Sequence, residues 1–274
     1  MCISIYISIF AAENTKIFQY KHRIMKKSRI ISVANHKGGV GKTTTVASVG
    51  SILASKGKTV LMIDLDAQAN LSSSLLKGEP DETIYPALLG KCDLPIIPIG
   101  ESLFLVPASL QLAMADLELA STMARERILE GLLEKVKDKF DYILIDCPPS
   151  LGLLTLNAFT ASTDIIIPLV AEVLPFKGLT MINNFIKMVN RRLNTKAHIS
   201  GILITRWEST NLGKGVEKQL RDSLGDIVFK TKIRKNVSLA EAPYEAKDIV
   251  SYAPKSNGAQ DYISFTNELC EIIK

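Results

Sequence analysis

One stretch limits what this chain can fold into: Asn35-His36-Lys37-Gly38-Gly39-Val40-Gly41-Lys42-Thr43-Thr44-Thr45. An apolar run, Ile30 to Ala34, leads into it, and a helical pattern, Val46 to Ala54, leads out. Strand, glycine-rich turn and helix, in that order, is the setting of a phosphate-binding loop. Glycines let backbone N–H groups turn inward around an anion, and the following helix aims its positive dipole end at the same place. In this reading Lys42 reaches the β- and γ-phosphates, Thr43 puts its hydroxyl on Mg²⁺, and Val40 is an apolar wall. The general motif begins with glycine where this chain has His36. It gains a second lysine, Lys37, whose phosphate role Lys42 already fills. Lys37 is thereby available to a nucleotide held by a second subunit.

Two further strands end in carboxylates. Thr59 to Asp66 reads as a buried parallel strand, followed by the small polar run Ala67-Gln68-Ala69-Asn70. Ligands bind at the carboxyl ends of such strands, so Asp64 and Asp66 are candidates, with helix capping as the alternative. Asp141 to Asp146 is the second, four apolar residues closing on an Asp, as a Mg²⁺-site carboxylate requires. The turn Cys147-Pro148-Pro149-Ser150 follows, with Cys147 as packing. Between these strands, residues 78–108 are irregular, with a short helix expected near 82–89 and strands at 95–99 and 103–106. Residues 109–136 carry apolar spacing that predicts a helix, broken once near Ser121-Thr122 and capped by Ser109. Strand–helix alternation then resumes: helix 151–161, strand 164–168, helix 175–193, strand 199–204, helix 213–223, strand 227–229, and helical pieces at 238–247 and 258–273. This predicts a mainly parallel twisted sheet with helices on both faces. Aromatics at 6% in a chain that is 47% hydrophobic suit an aliphatic core of that kind.

Residues 1–25 read differently. The apolar run Cys2 to Ala12 is too short to span a bilayer, and no Lys or Arg precedes it as in a signal peptide. Met25 is expected to be the functional start, with 1–24 a gene-start artefact or a disordered extension, and 26–274 as one domain. Membrane tethering is the alternative. The formal charge of +5 is uneven. Residues 206–236 hold eight Lys/Arg against four Asp/Glu, while the body between residue 29 and the C-terminus is otherwise acidic. A basic segment on an acidic body suits a polyanion, or is simply a solvated face. The four cysteines form no CxxC pair and the three histidines no metal spacing, so neither disulfides nor zinc are expected.

The Lys-Gly-Gly-Val-Gly-Lys-Thr-Thr loop, Val60 to Asn70, and Asp141 to Ala158 together resemble the ParA/Soj group of partition ATPases. So do Thr210 to Gly213, Asn236 to Pro243 and Ala253 to Ala259. The resemblance covers nearly everything after Met25 and implies a single P-loop NTPase domain of α/β class. It implies ATP and Mg²⁺ as cofactors, and nucleotide held by Lys37, Gly38, Gly39, Val40, Gly41, Lys42, Thr43 and Thr44. Lys37 would reach the partner subunit's ATP, and Asp66 would orient the attacking water. Thr43 would bind Mg²⁺, Asp146 would support its shell through water, and Asp66 is a further candidate there. It also implies an ATP-bound homodimer, non-specific double-stranded DNA, a ParB-type centromere-binding partner, and a cytoplasmic, nucleoid-associated place. Where relatives carry two arginines linked to DNA, this chain has Ser209 and Ser238. Arg206, Lys214, Lys230, Lys232, Arg234 and Lys235 are the candidate replacements. No helix-turn-helix segment fits before the loop.

Three rivals make other demands. A MinD-like membrane ATPase needs a basic amphipathic terminal helix, and Asp261 to Lys274 has too little positive charge. An electron-donating ATPase needs two cysteines per chain on a shared Fe–S cluster, with only Cys92 and Cys147 as candidates. A biotin- or cobalamin-pathway ligase has a similar loop, but the Asn236 to Pro243 segment argues against it.

Overall fold

Apolar runs that close on polar residues assemble into one sheet. The computed structural model describes residues 28–171, 175–193 and 195–273, with the side chains of 175–177 left aside. The expected extension over 1–25 and the start at Met25 lie outside the described residues. The strands are β1 (Arg29–Val33), β2 (Val60–Asp64), β3 (Ile97–Pro98), β4 (Leu103–Val106), β5 (Tyr142–Asp146), β6 (Asp164–Val170), β7 (His198–Trp207) and β8 (Val228–Arg234). Their order is β3-β4-β2-β5-β1-β6-β7-β8. Every pairing is parallel except the short antiparallel edge β3–β4.

The strands read as continuous apolar runs because both faces of the sheet are covered. Val60 and Met62 of β2 point to one side, where helix α1 (Lys42–Ser55) packs through Val46, Val49 and Leu53. Leu61 and Ile63 point to the other side. There lie helices α3 (Leu153–Ala161), α4 (Pro175–Leu193) and α5 (Asn211–Leu224), with Phe159, Ile186 and Leu220 in the core. Short helix α2 (Asn70–Leu75) follows β2. Helix α6 (Asn257–Ile272) returns to the α1 face and buries Tyr262, Phe265 and Leu269. Each fully buried aliphatic or aromatic side chain of this kind contributes roughly 1.5–3 kcal/mol.

Three expectations are corrected. The break expected near Ser121-Thr122 is present, but residues 109–121 are not one helix. Short 3-10 and α turns cover Leu110 to Ser121, and a proper helix forms only at Ile128–Glu134. The break is conformational: Thr122 is extended and Ala124 is left-handed at φ 52°. Ser109 does not cap, and its hydroxyl is buried without a partner among the described residues. Second, β2 ends at Asp64, so Asp66 stands in the loop beyond it. Third, 238–247 splits into helix Ser238–Glu241 and a 3-10 turn Ala242–Glu245.

β8 runs to Arg234, well past the expected 227–229, because α6 covers its open edge. Glu268 accepts from the backbone N–H of Lys230 (2.6 Å) and Thr231 (2.9 Å), and Asp261 accepts from that of Arg234 (3.0 Å). Carboxylates thus do for this edge what a further strand would do. Glu268→Ala should lower stability by about 1–2 kcal/mol, two charge-assisted bonds being replaced by water. For a chain of this size that is a drop of a few degrees in thermal midpoint (~2–4 °C per kcal/mol). A variant melting with the wild type would show that solvent serves the edge equally well.

Candidate active site

The loop of residues 35–41 leaves β1 and is tied to its surroundings at several points. Asn35, buried, donates through Nδ2 to the Pro168 carbonyl (2.7 Å) and accepts from the Lys37 N–H (3.1 Å). Thr205 at the end of β7 donates to the Val40 carbonyl (2.7 Å). Thr45 donates to the Gly41 carbonyl (2.7 Å) and meets the Tyr262 hydroxyl at 3.1 Å. Gly39 and Gly41 stand at φ 71° and 88°, a conformation that side chains disfavour. Val40 is buried as the expected wall.

Helix α1 begins at Lys42 with no side-chain cap and no acidic residue in its first turn. Its leading N–H groups therefore lack the partners that a capping side chain supplies, and its dipole end is uncompensated. Lys42 is buried, and its Nζ donates to the Lys37 carbonyl at 3.3 Å, closing the loop on itself. Lys37, by contrast, is exposed, as are Gly38 and Gly39.

Beside the loop, Thr43 donates to Oδ2 of Asp146 at 2.7 Å. Asp146 is buried and its Oδ1 has no partner among the described residues. Burial first, and the nearby Asp64 carboxylate next, hold the Asp146 carboxyl well above the ordinary range. Asp64 is its register partner across β2 and β5. Burial raises Asp64 to about 6, against the opposing pull of its bonds from Ser72. The Asp146 carboxyl, with its bare buried oxygen, and the Thr43 hydroxyl already in place beside it form a hard oxygen donor set, whereas both Asp64 oxygens are taken by Ser72 and the Asp66 N–H. Such a set fits Mg²⁺ bound with water and phosphate oxygens.

Asp66 is half-buried in the loop after β2, where it accepts from the Gln68 N–H at 3.0 Å. It lines, with Gly38, Gly39, Gly41, Lys42, Thr43 and Thr44, a cleft of about 760 Å³. That cleft is large enough for a nucleotide. Its far wall has Thr205, Arg206, Ile233 to Val237, Pro243 and Tyr262, of which Arg206, Arg234 and Lys235 are expected polyanion contacts and none is an expected nucleotide contact. The segment Asn236 to Pro243 had marked a resemblance without a role, and the fold gives it a place. Asn236 Oδ1 is buried there without a partner among the described residues. The available signal was a polar residue after an apolar run, as Thr205 follows Ile202 to Ile204 in β7.

The six basic candidates for a polyanion separate. Arg206, left-handed at φ 48°, donates to the Gly39 carbonyl at 3.4 Å and so faces the cleft. Arg234 makes a two-point pair with Asp261 (2.9 and 2.6 Å). Lys232 pairs with Glu217 at 2.7 Å and lies 3.7 Å over the Trp207 ring. Lys235 meets Glu208 at 3.1 Å. Lys214 and Lys230 are exposed. Ser209 is exposed and Ser238 half-buried. Of the cysteines, Cys92 is exposed and Cys147 is buried, its thiol pushed up to about 12 by burial.

Comparison with known proteins gives consistent results. A family model described as an AAA domain matches residues 28–199. The sporulation initiation inhibitor protein Soj of Bacillus subtilis (strain 168) is 43% identical over 247 residues, 88% of this chain and 98% of that protein. The chromosome-partitioning ATPase Soj of Treponema pallidum (strain Nichols) is 42% identical over 240 residues, 86% of this chain and 94% of that protein. Among solved structures, a Mycobacterium smegmatis protein described as cobyrinic acid a,c-diamide synthase, with bound ATP analogue and magnesium, superposes with a TM-score of 0.78. It is 34% identical, over 89% of this chain and 95% of that one.

Proposed function

We propose that this chain, which belongs to the Soj/ParA family of partition ATPases, uses ATP to form a dimer that holds DNA and uses hydrolysis to let go. The chain is an ATPase that works with ATP and Mg²⁺. The observation that carries the finer reading is the contrast between its two loop lysines. Lys42 is buried and turned into its own loop, whereas Lys37 stands exposed at the loop's mouth. Lys42 exchanges the Lys37 carbonyl for β- and γ-phosphate oxygens, and the N–H groups of residues 38–44 cradle the same phosphates. Lys37 reaches the nucleotide of the second subunit.

Mg²⁺, when bound, would supply neutralisation of the phosphate charge. Thr43 and Asp146 would hold it, Asp146 through water, with the bare Oδ1 as an acceptor free for that water. Asp66 orients a water for in-line attack on the γ-phosphorus. The bond to the ADP oxygen breaks as the new P–O bond forms, and ADP and phosphate leave. A ParB-type centromere-binding partner accelerates this step.

DNA is held by phosphates on the β7–β8 side, without reading sequence. Lys214 and Lys230 carry the interaction. Arg234, Lys232 and Lys235 already serve carboxylates within the chain, so their charge is partly cancelled. Arg206 faces the nucleotide rather than DNA. A dimer presents both copies of the surface and gains affinity by linkage. Lys214→Ala/Lys230→Ala should bind DNA at least about tenfold more weakly in ATP, with a salt slope shallower by up to about four, two contacts per subunit being lost. ATP-driven dimerisation should survive. The decisive assay is DNA binding with ATP, with ADP and without nucleotide. Equal affinity in all three, or an unchanged double variant, would refute this reading.

Two rivals meet specific observations. A membrane-bound ATPase would use its last helix as an anchor, but Tyr262, Phe265 and Leu269 of α6 are buried in the core shared with α1. No helix among the described residues is long and apolar enough to cross a membrane. Liposome pelleting in ATP separates this case. The likeness to the M. smegmatis structure favours a second reading as an ATP-dependent amide-forming ligase. That reading requires ADP release to depend on an acceptor carboxylic acid and an amine donor. Turnover by the protein with DNA alone sets it aside.

A further inference from the structure

We propose that Asp64 is the positioning residue for Asp66, acting through a latch that it forms with Ser72. The proposal rests on the assignment of Asp66 above. Asp64 is completely buried at the end of β2. Its Oδ1 accepts from the Asp66 N–H at 3.1 Å. Its Oδ2 accepts from both the N–H and the hydroxyl of Ser72, at 2.9 and 2.7 Å. The Ser72 hydroxyl oxygen in turn accepts from the Ala108 N–H at 2.9 Å. One carboxylate therefore fastens the start of the Asp66 loop, the first turn of α2 beyond that loop, and the exit of β4.

The segment between the two ends of the latch is closed tightly. Gln68 donates to Asp66 Oδ1 (3.0 Å), Ala69 donates to the Asp66 carbonyl (2.9 Å), and Ala69 is left-handed at φ 51°. A non-glycine residue held in that region persists where its surroundings over-determine it. The latch supplies such constraint from both sides. Elsewhere β2 is filled by Val60, Leu61, Met62 and Ile63, and an aliphatic residue at 64 would suit the same core. A buried carboxylate is costly even when hydrogen-bonded, and what it provides here is a fixed backbone at Asp66. The latch does not line the cleft through Asp64, so it acts on the water only through Asp66.

The test uses the full chain with Asp64→Asn, Ser72→Ala and Ser72→Thr, and Asp66→Ala as the reference. ATP affinity is read from Trp207 fluorescence, turnover from phosphate release, and folding from the thermal midpoint. Asp64→Asn and Ser72→Ala should keep ATP affinity within about threefold while kcat falls about tenfold or more, as small misplacements of a positioning group do. Ser72→Thr keeps the hydroxyl and should restore kcat to within about threefold of wild type. Should Asp64→Asn fail to fold, Ser72→Ala and Ser72→Thr decide alone. Wild-type kcat in folded Asp64→Asn or Ser72→Ala overturns the proposal. So does a parallel loss of ATP affinity, kcat and thermal midpoint, which marks a merely structural latch. Normal turnover in Asp66→Ala removes the premise and the proposal together, and is distinguishable because it requires no latch variant.

Discussion

Lys37→Ala should bind ATP and remain monomeric. Lys42 and the N–H groups at the start of α1 are on the same chain as the nucleotide they would hold, so affinity should change by less than about fivefold, a single peripheral charge being lost. Assembly is different. Two ATP-loaded faces brought together oppose phosphate charge, and a lysine entering from each side offsets it where water is excluded. Without Lys37 the ATP-dependent dimer should vanish from light scattering at micromolar protein, and turnover should fall on the order of a hundredfold or more, as when a trans-acting cation is removed from a phosphoryl-transfer site. Lys37→Arg should restore part of both, since charge is kept and geometry is not. A dimer that forms equally with ATP, with ADP or in Lys37→Ala would refute the sandwich arrangement.

Asp66→Ala should separate holding ATP from cleaving it. The loop lysines, Thr43 and Asp146 are untouched by this change, and the N–H groups of α1 keep their direction. The loss is the group that orders the attacking water, and positioning of that kind is worth on the order of a hundredfold to ten-thousandfold in rate. The variant should therefore form an ATP-dependent dimer that outlives the wild-type one. It should stay on DNA after competitor is added, because release waits on hydrolysis. Phosphate release in a single turnover checks the first statement, and dissociation from immobilised DNA checks the second. Rapid phosphate release in Asp66→Ala would transfer the role to another carboxylate of the cleft. Short-lived DNA complexes with slow hydrolysis would disconnect release from chemistry.

What the sequence determined by itself is local or periodic. The loop 35–45 was legible because glycine placement and the two lysines act within one turn of chain, and the same holds for Asp146 after four apolar residues. The parallel sheet was legible because runs such as Val60 to Ile63 and Ile143 to Ile145 are apolar on both sides, which only a doubly covered strand requires. Over 109–136 periodicity located the break at Thr122 but not the backbone before it, where Leu112, Ala115 and Leu119 bury at helical spacing from short 3-10 and α turns. A pattern of apolar positions records which residues face a core, not whether the backbone between them is continuous.

Tertiary structure alone decided which charges are spent. Residues 206–236 sum to a basic segment, yet Arg234 finds Asp261 and Lys232 finds Glu217 across elements that the sequence keeps apart. Net charge adds along a chain regardless of distance, whereas ion pairing depends on separations of a few ångströms. The same distance dependence gives Asp64 and Asp66 different surroundings. Two residues apart in the same acidic strand end, one is sealed under Ser72 and the other opens on the cleft, because β2 stops at Asp64 and the chain turns there.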